Sequence, residues 1–275
     1  MNARNRFFSQ DGPGDARGNR KPGGMDNSGE ELIAGRQAVL ETLRYGKPAA
    51  IILAAGQKGA VVDEITSLAR RKQVPLKSLS REEFEQLAVQ IPGHQGVAAM
   101  VPPFSYSSLE NLINLARSSE REPFILMLDH LEDPQNLGAI MRTADAAGVH
   151  GLIIPERRAA GVTAAVRKVA AGAAERMPVA RTGNLNRAAE RLKKEGFWLY
   201  GAEADGSEPY YRADYRRPLV LVIGSEGRGL SRLLRRNCDL ILSIPMPGPT
   251  GSLNVAATTA ILAYAALAQR EGWTG

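Results

Sequence analysis

The sequence predicts an α/β protein in which a parallel β-sheet carries helices on both faces and a smaller α/β module precedes it. Three observations carry this expectation. From residue 123 onward, short apolar runs alternate strictly with segments of helical periodicity. Those runs are apolar at successive positions, as strands buried on both faces must be. A Pro-Pro and Ser-rich break at 102–108 sets this half apart from an upstream region with strand, helix and cap signals of its own.

Taken in order, residues 1–28 are Gly, Asn, Arg and Pro with almost nothing to bury, which predicts a disordered tail. Its Arg4, Arg6, Arg17, Arg20 and Lys21 suit contact with a polyanion or are a plain solvated leader. Residues 29–103 form the first predicted domain. IAGRQAVLETLRYG reads as a helix ending at Gly46, AAIILAAG as a strand, and VVDEITSLARRK as a helix with Val62, Ile65 and Leu68 on one face. Ser80 and Glu83 have capping-box spacing, and HQGVAAMVPP is a strand closed by two prolines. FSYSS is the linker, and 104–275 the second domain. There the predicted strands are FILMLDH, HGLIIP, MPVAR, FWLYGAE, PLVLVIG and DLILSIP. Helices SLENLINLARSS, LGAIMRTADAAG, VTAAVRKVAAG, LNRAAERLKKEG, LSRLLRRN and NVAATTAILAYAALAQR accompany them.

At 275 residues the chain has room for both domains, and 44% hydrophobic residues suit a packed core. Lys and Arg number 35 against 29 Asp and Glu, a net charge of +6 that favours nucleic acid or an anionic surface as partner. A single cysteine, Cys238, excludes an intramolecular disulfide. His94, His130 and His150 lack metal-ligand spacing, so structural or surface roles are expected for them, and no metal. No apolar run has membrane-spanning length and the start lacks a signal-peptide core, which predicts a soluble, cytoplasmic protein without a membrane.

Ligands of open α/β sheets bind where strands end, so the loops after FILMLDH, PLVLVIG and DLILSIP matter most. All three are rich in Gly, Pro and small polar residues, which allow close backbone approach. SEGRGL is not the dinucleotide G-x-G-x-x-G, and PGPTGSLN lacks the G-K-[ST] of a P-loop.

DPQNLGAIMRTADAAG, LVLVIGSEGRGL and LILSIPMPGPTGSLNVAATTAILAYAAL together resemble the three motifs of the SpoU (TrmH) branch of the SPOUT RNA methyltransferases. The resemblance covers about 105–270. The 30–103 module, with its AGRQAVLETL start and HQGVAA end, resembles the L30e-like substrate-binding domain of the ribosomal RNA members. This implies a SPOUT-type trefoil-knotted sheet, a homodimer, and S-adenosyl-L-methionine (SAM) as methyl donor. The reaction implied is methylation of a ribose 2′-hydroxyl in RNA, with a guanosine of large-subunit ribosomal RNA as commonest target and transfer RNA as the alternative. A non-catalytic RNA-binding or ribosome-assembly factor, or an enzyme acting on a small nucleotide, are readings of other classes.

By motif correspondence, cofactor contacts fall at Gly224, Ile244 and Leu253, with Gly201 and Ala202 as further adenosine contacts. Catalysis and ribose binding fall at Asn136, Arg142, Glu226, Ser252 and Asn254. In-line methyl transfer needs the 2′-oxygen aligned with the methyl carbon and a destination for the hydroxyl proton. Asn136, Ser252 and Asn254 suit the ribose, Arg142 suits a phosphate, and either Arg142 or Glu226 takes the proton. The residues alone also admit Arg142 paired with Asp145, and Ser252 and Asn254 as helix caps. Tyr210, Tyr211 and Tyr215, beside Arg212, Arg216 and Arg217, suit base stacking or a solvated loop. Ten Lys and Arg against four Glu between 155 and 200 suggest an RNA-facing surface.

Overall fold

The computed structural model describes residues 29–89, 91, 93–249 and 251–273, so the N-terminal segment and its arginines lie outside the described residues. The first sheet has four strands in the order β1-β4-β2-β3, built from β1 (Glu31–Ala34), β2 (Ala50–Ala54), β3 (Leu76–Leu79) and β4 (Val97–Val101). Helices α1 (Arg36–Tyr45), α2 (Ala60–Arg71) and α3 (Arg81–Ala88) connect them. The helix expected from residue 33 starts later: Ile33 and Ala34 pair with β4, and Gly35, at φ 117°, breaks the chain before Arg36. The capping box forms, with Ser80 Oγ accepting from Glu83 N and the Glu83 carboxylate accepting from Ser80 N.

The second sheet has seven strands, ordered β7-β6-β5-β10-β8-β11-β9, and every pairing is parallel. In chain order its elements are α4 (Leu109–Arg117), β5 (Phe124–Leu128), α5 (Pro134–Ala146), β6 (Gly151–Pro155), α6 (Ala164–Ala170), α7 (Ala173–Arg176), β7 (Val179–Thr182) and α8 (Leu185–Lys194). Then follow β8 (Trp198–Ala202), β9 (Glu208–Pro209), a single 3₁₀ turn at Tyr210–Arg212, β10 (Leu219–Ile223), α9 (Arg232–Asn237), β11 (Leu240–Ser243) and α10 (Val255–Arg270).

Strand side chains alternate between two cores. Phe124, Leu126, Leu219 and Leu221 pack with α5, α6 and α10. Ile125, Met127, Val220 and Val222 pack with α4, α8 and α9. Continuous apolar runs follow directly, because both faces of these strands are covered. After β11 the chain turns back. Residues 244–254 lead to α10, which packs on α5 and β10. That return crosses strands laid down earlier, as the knot expected from the motif resemblance requires. Among the described residues, no helix is long and apolar enough to cross a membrane.

Candidate active site

Three loops converge at the carboxyl ends of β5, β10 and β11. In the first, Asp133 caps α5 by accepting from Gln135 N at 2.9 Å, and Pro134 takes the first helical position, where its missing N–H costs nothing. Asn136 therefore sits in the first turn. In the third, Asn254 caps α10, its Oδ1 accepting from Ala256 N at 2.9 Å and Ala257 N at 3.3 Å. Its Nδ2 remains available and donates to Asn136 Oδ1 at 3.0 Å and Glu226 Oε1 at 2.8 Å. Glu226 Oε1 also accepts from Val255 N at 3.0 Å and from Asn136 Nδ2 at 3.4 Å. Asn136, Glu226 and Asn254 thus form one cluster, assembled from all three loops. The N-terminal end of α10 favours the Glu226 carboxylate there.

Beside the cluster lies a cavity of about 280 Å³, lined among others by Ala202, Gly224, Ile244, Ser252 and Leu253. Gly224 is required by contact: a Cβ there would lie 2.3 Å from Gly229 C and 2.6 Å from Leu230 N. The loop closes on itself through Gly229 N to Ser225 O at 3.0 Å, with Gly227 and Gly229 at positive φ. Glu203 holds it from below, accepting from Leu230 N at 2.9 Å and Arg235 Nη1 at 2.6 Å.

A second cavity, about 260 Å³, shares Ser225 and Glu226 with the first and adds His130, Glu132, Asp133, Asn136 and Arg228. His130 Nδ1 lies 2.5 Å from the Oδ1 of Asp129, a side chain only 1% exposed. Asp129 Oδ2 accepts from Ser231 N at 2.7 Å. Asp129, His130, Glu203 and Arg228 escape a reading based on motifs. Adjacency of the Asp-His pair to DPQN was the one signal available for the first two.

Other expected residues stand elsewhere. Gly201 is buried inside β8, where a Cβ would meet Leu230 Cδ1 at 2.6 Å and Cys238 Sγ at 3.0 Å, so packing accounts for it. Arg142 is exposed on α5 and lines neither cavity. Its alternative partner, Asp145, bonds Arg176 Nη2 at 2.5 Å instead. Tyr215 is a core residue that donates to Tyr210 O, so of that trio only Tyr211 is strongly exposed. Burial raises the Tyr215 phenol well above its ordinary range. Within the basic 155–200 stretch, Arg167 is buried against Glu175, and Lys193 pairs with Asp239. Much of that charge serves the fold. Among the described residues, no group of three His, Cys, Asp or Glu is placed to hold a metal ion.

Comparison with known proteins gives the family. Residues 123–264 match the model of the SpoU rRNA Methylase family, and residues 32–107 match that for RNA 2′-O ribose methyltransferase substrate binding. A Bacillus subtilis relative named as a putative TrmH family tRNA/rRNA methyltransferase is 39% identical over 242 residues, covering 88% of this chain and 96% of its own. A tRNA/rRNA methyltransferase from Mycolicibacterium vanbaalenii is 41% identical over 243 residues, covering 88% and 77%. Among solved structures, the SpoU methyltransferase AviRb from Streptomyces viridochromogenes, crystallised with the cofactor AdoMet, aligns with a TM-score of 0.74 at 24% identity. That alignment covers 90% of this chain and 95% of the other. The chain belongs to the SpoU family of RNA methyltransferases.

Proposed function

We propose that this protein transfers a methyl group from SAM to the 2′-hydroxyl of a guanosine in large-subunit ribosomal RNA. The observation that carries the reading is the Asn136–Glu226–Asn254 cluster at the mouth of a glycine-walled cavity. Gly224 lets the backbone of Gly229 and Leu230 close directly against it and so shapes the cavity wall, and a solved structure of the same fold holds AdoMet. Backbone groups at 224, 244 and 253, with Ala202, would hold the cofactor; when bound, it supplies an electrophilic methyl group. Asn136 and Ser252 orient the ribose through hydrogen bonds, Asn254 fixes Asn136 and Glu226 with both of its amide hydrogens, and the cluster excludes bulk water from one side of the ribose. Glu226, with three donors on one oxygen, serves as the anchor of this arrangement. The module at 29–103 positions the RNA.

We further propose a homodimer. Ala139 and Ala146 on α5, with Ala257, Ile261 and Tyr264 on the adjacent α10, form a partly exposed apolar face. Arg142 projects from that face between the two alanines, so pairing would carry it to the partner's cluster, where it binds phosphate.

Transfer RNA is the second reading, since the relatives' names include it. Mapping 2′-O-methyl sites in ribosomal and transfer RNA from cells lacking the gene separates the two. Calorimetric titration with SAM in the presence of a chelator is expected to show one site per chain. No binding at millimolar SAM would remove the cofactor assignment.

A further inference from the structure

We propose that the base of the target nucleotide enters the second cavity and is read there as guanine, by Glu132 and Arg228 against a fixed His130 platform. This rests on the guanosine reading above and supplies its residue-level basis. The cavity adjoins the cofactor cavity through the shared wall of Ser225 and Glu226, and Asn136 stands on its rim. A ribose held at the Asn136–Glu226–Asn254 cluster has the cofactor on one side. Its base therefore has the second cavity to occupy.

Glu132 and Arg228 are both exposed, and neither has a hydrogen-bond or ion-pair partner among the described residues. The fold does not use them. Asp133, by contrast, already spends an oxygen on the Gln135 N–H. His130 has φ 57°, a left-handed conformation that a non-glycine residue holds only where its surroundings impose it. Asp129 imposes it: the carboxylate takes the imidazole Nδ1 and the Ser231 N–H, while its own N–H donates to Ile223 O at 2.8 Å. The imidazole is thereby tied to both loops that wall the cavity. Its Nε2 and ring remain for a ligand.

Guanine presents a carbonyl acceptor, O6, beside two donors, N1–H and the N2 amino group. A carboxylate accepts both donors at once, and a guanidinium donates to O6 and N7. Adenine would set its amino group against Arg228 and its N1 lone pair against Glu132, a mismatch at each. Bases drawn out of a stack rest on aromatic rings, histidine included, which gives the His130 plane its use.

The test takes the full-length protein, the RNA fragment carrying the mapped methylation site, and copies with inosine or adenosine at that position. Inosine lacks only the N2 amino group. Wild-type kcat/KM is expected to fall about tenfold or more on inosine and further on adenosine, the scale of a lost bidentate contact. Glu132→Gln is expected to treat guanosine and inosine alike, and His130→Ala to raise KM for RNA more than it lowers kcat. Both variants should bind SAM like wild type, which separates recognition from misfolding. A mapped nucleotide other than guanosine, or Glu132→Gln with the wild-type inosine penalty, overturns the pocket assignment and leaves the methyltransferase intact. SAM-loaded protein that methylates no RNA overturns the underlying reading as well.

Discussion

Gly224 shows how much one missing methyl group decides. Backbone of the same loop fills the space where its Cβ would stand, so Gly224→Ala must displace the 225–230 segment. Overpacking of this kind costs roughly 1–3 kcal/mol. SAM affinity is expected to fall about tenfold or more, read by calorimetry, while the circular dichroism spectrum stays that of wild type. Cys238 gives an independent residue-scale prediction. Burial pushes its thiol up to about 12 from an ordinary 9.0. Since the thiolate is the reactive form, its native reaction with a disulfide reagent at pH 8 should run about a thousandfold slower than in denaturant. The rate should climb as pH rises past 9, where an ordinary thiol would already level off. Rapid native labelling would place the thiol outside its apolar pocket.

At the scale of elements, the two sheets meet through α6 and α7. Arg167 donates to Pro102 O at 2.9 Å and pairs with Glu175 at 2.7 Å, and all but a few per cent of its surface is buried. The Arg176 guanidinium lies 4.0 Å from the ring centroid of Tyr45. Nearby, burial raises the Glu31 carboxyl above its usual range, against the pull of Arg167. Arg167→Ala leaves Glu175 buried without its partner, and a loss of roughly 3–5 kcal/mol in unfolding free energy is expected. Deleting residues 1–104 removes the Pro102 contact and should lower Tm, yet leave SAM affinity unchanged, because the cofactor cavity draws no residue from that part. Scanning calorimetry and titration of the two proteins check both statements. An unchanged Tm would mean that the module is tethered rather than docked. Of the helices at this junction α6 is legible in sequence, whereas α7 and the strands β1, β3 and β9 are not. With four, four and two residues, these strands are too short for a periodicity to develop and exist because a neighbouring strand pairs with them.

For the whole molecule, the position of Arg142 makes a sharp prediction. In one protomer it lies apart from the cavities, on the α5 face that also carries Ala139 and Ala146. If pairing brings it to the partner's cluster, Asn136→Ala and Arg142→Ala should each abolish methyl transfer alone and complement when mixed. A mixed dimer then has one intact site of two. Random exchange of equal amounts should restore roughly a quarter of wild-type activity, since closed twofold pairing makes half the dimers mixed. No recovery after verified exchange, or a monomer in sedimentation, would return Arg142 to its own protomer.

Some of this protein is written in local sequence. Apolar runs in FILML and LVLVI mark fully covered strands, Asn254 marks a helix start, and Gly224, Gly227 and Gly229 mark a loop whose backbone can approach a neighbour closely. Burial pattern, cap chemistry and backbone freedom act within a few residues, so these features need no knowledge of the fold. The site is different. Asn136 bonds Glu226 90 positions away and Asn254 118 positions away. Those contacts exist because β5 and β10 are neighbours in the sheet and the chain after β11 returns across it. The same strand order sets His130 in a cavity wall, sinks Tyr215 into the core, and leaves Arg142 outside the pocket its motif suggests. Residue identity determined what each of these groups can do, and only the packing of distant segments decided which of them meet.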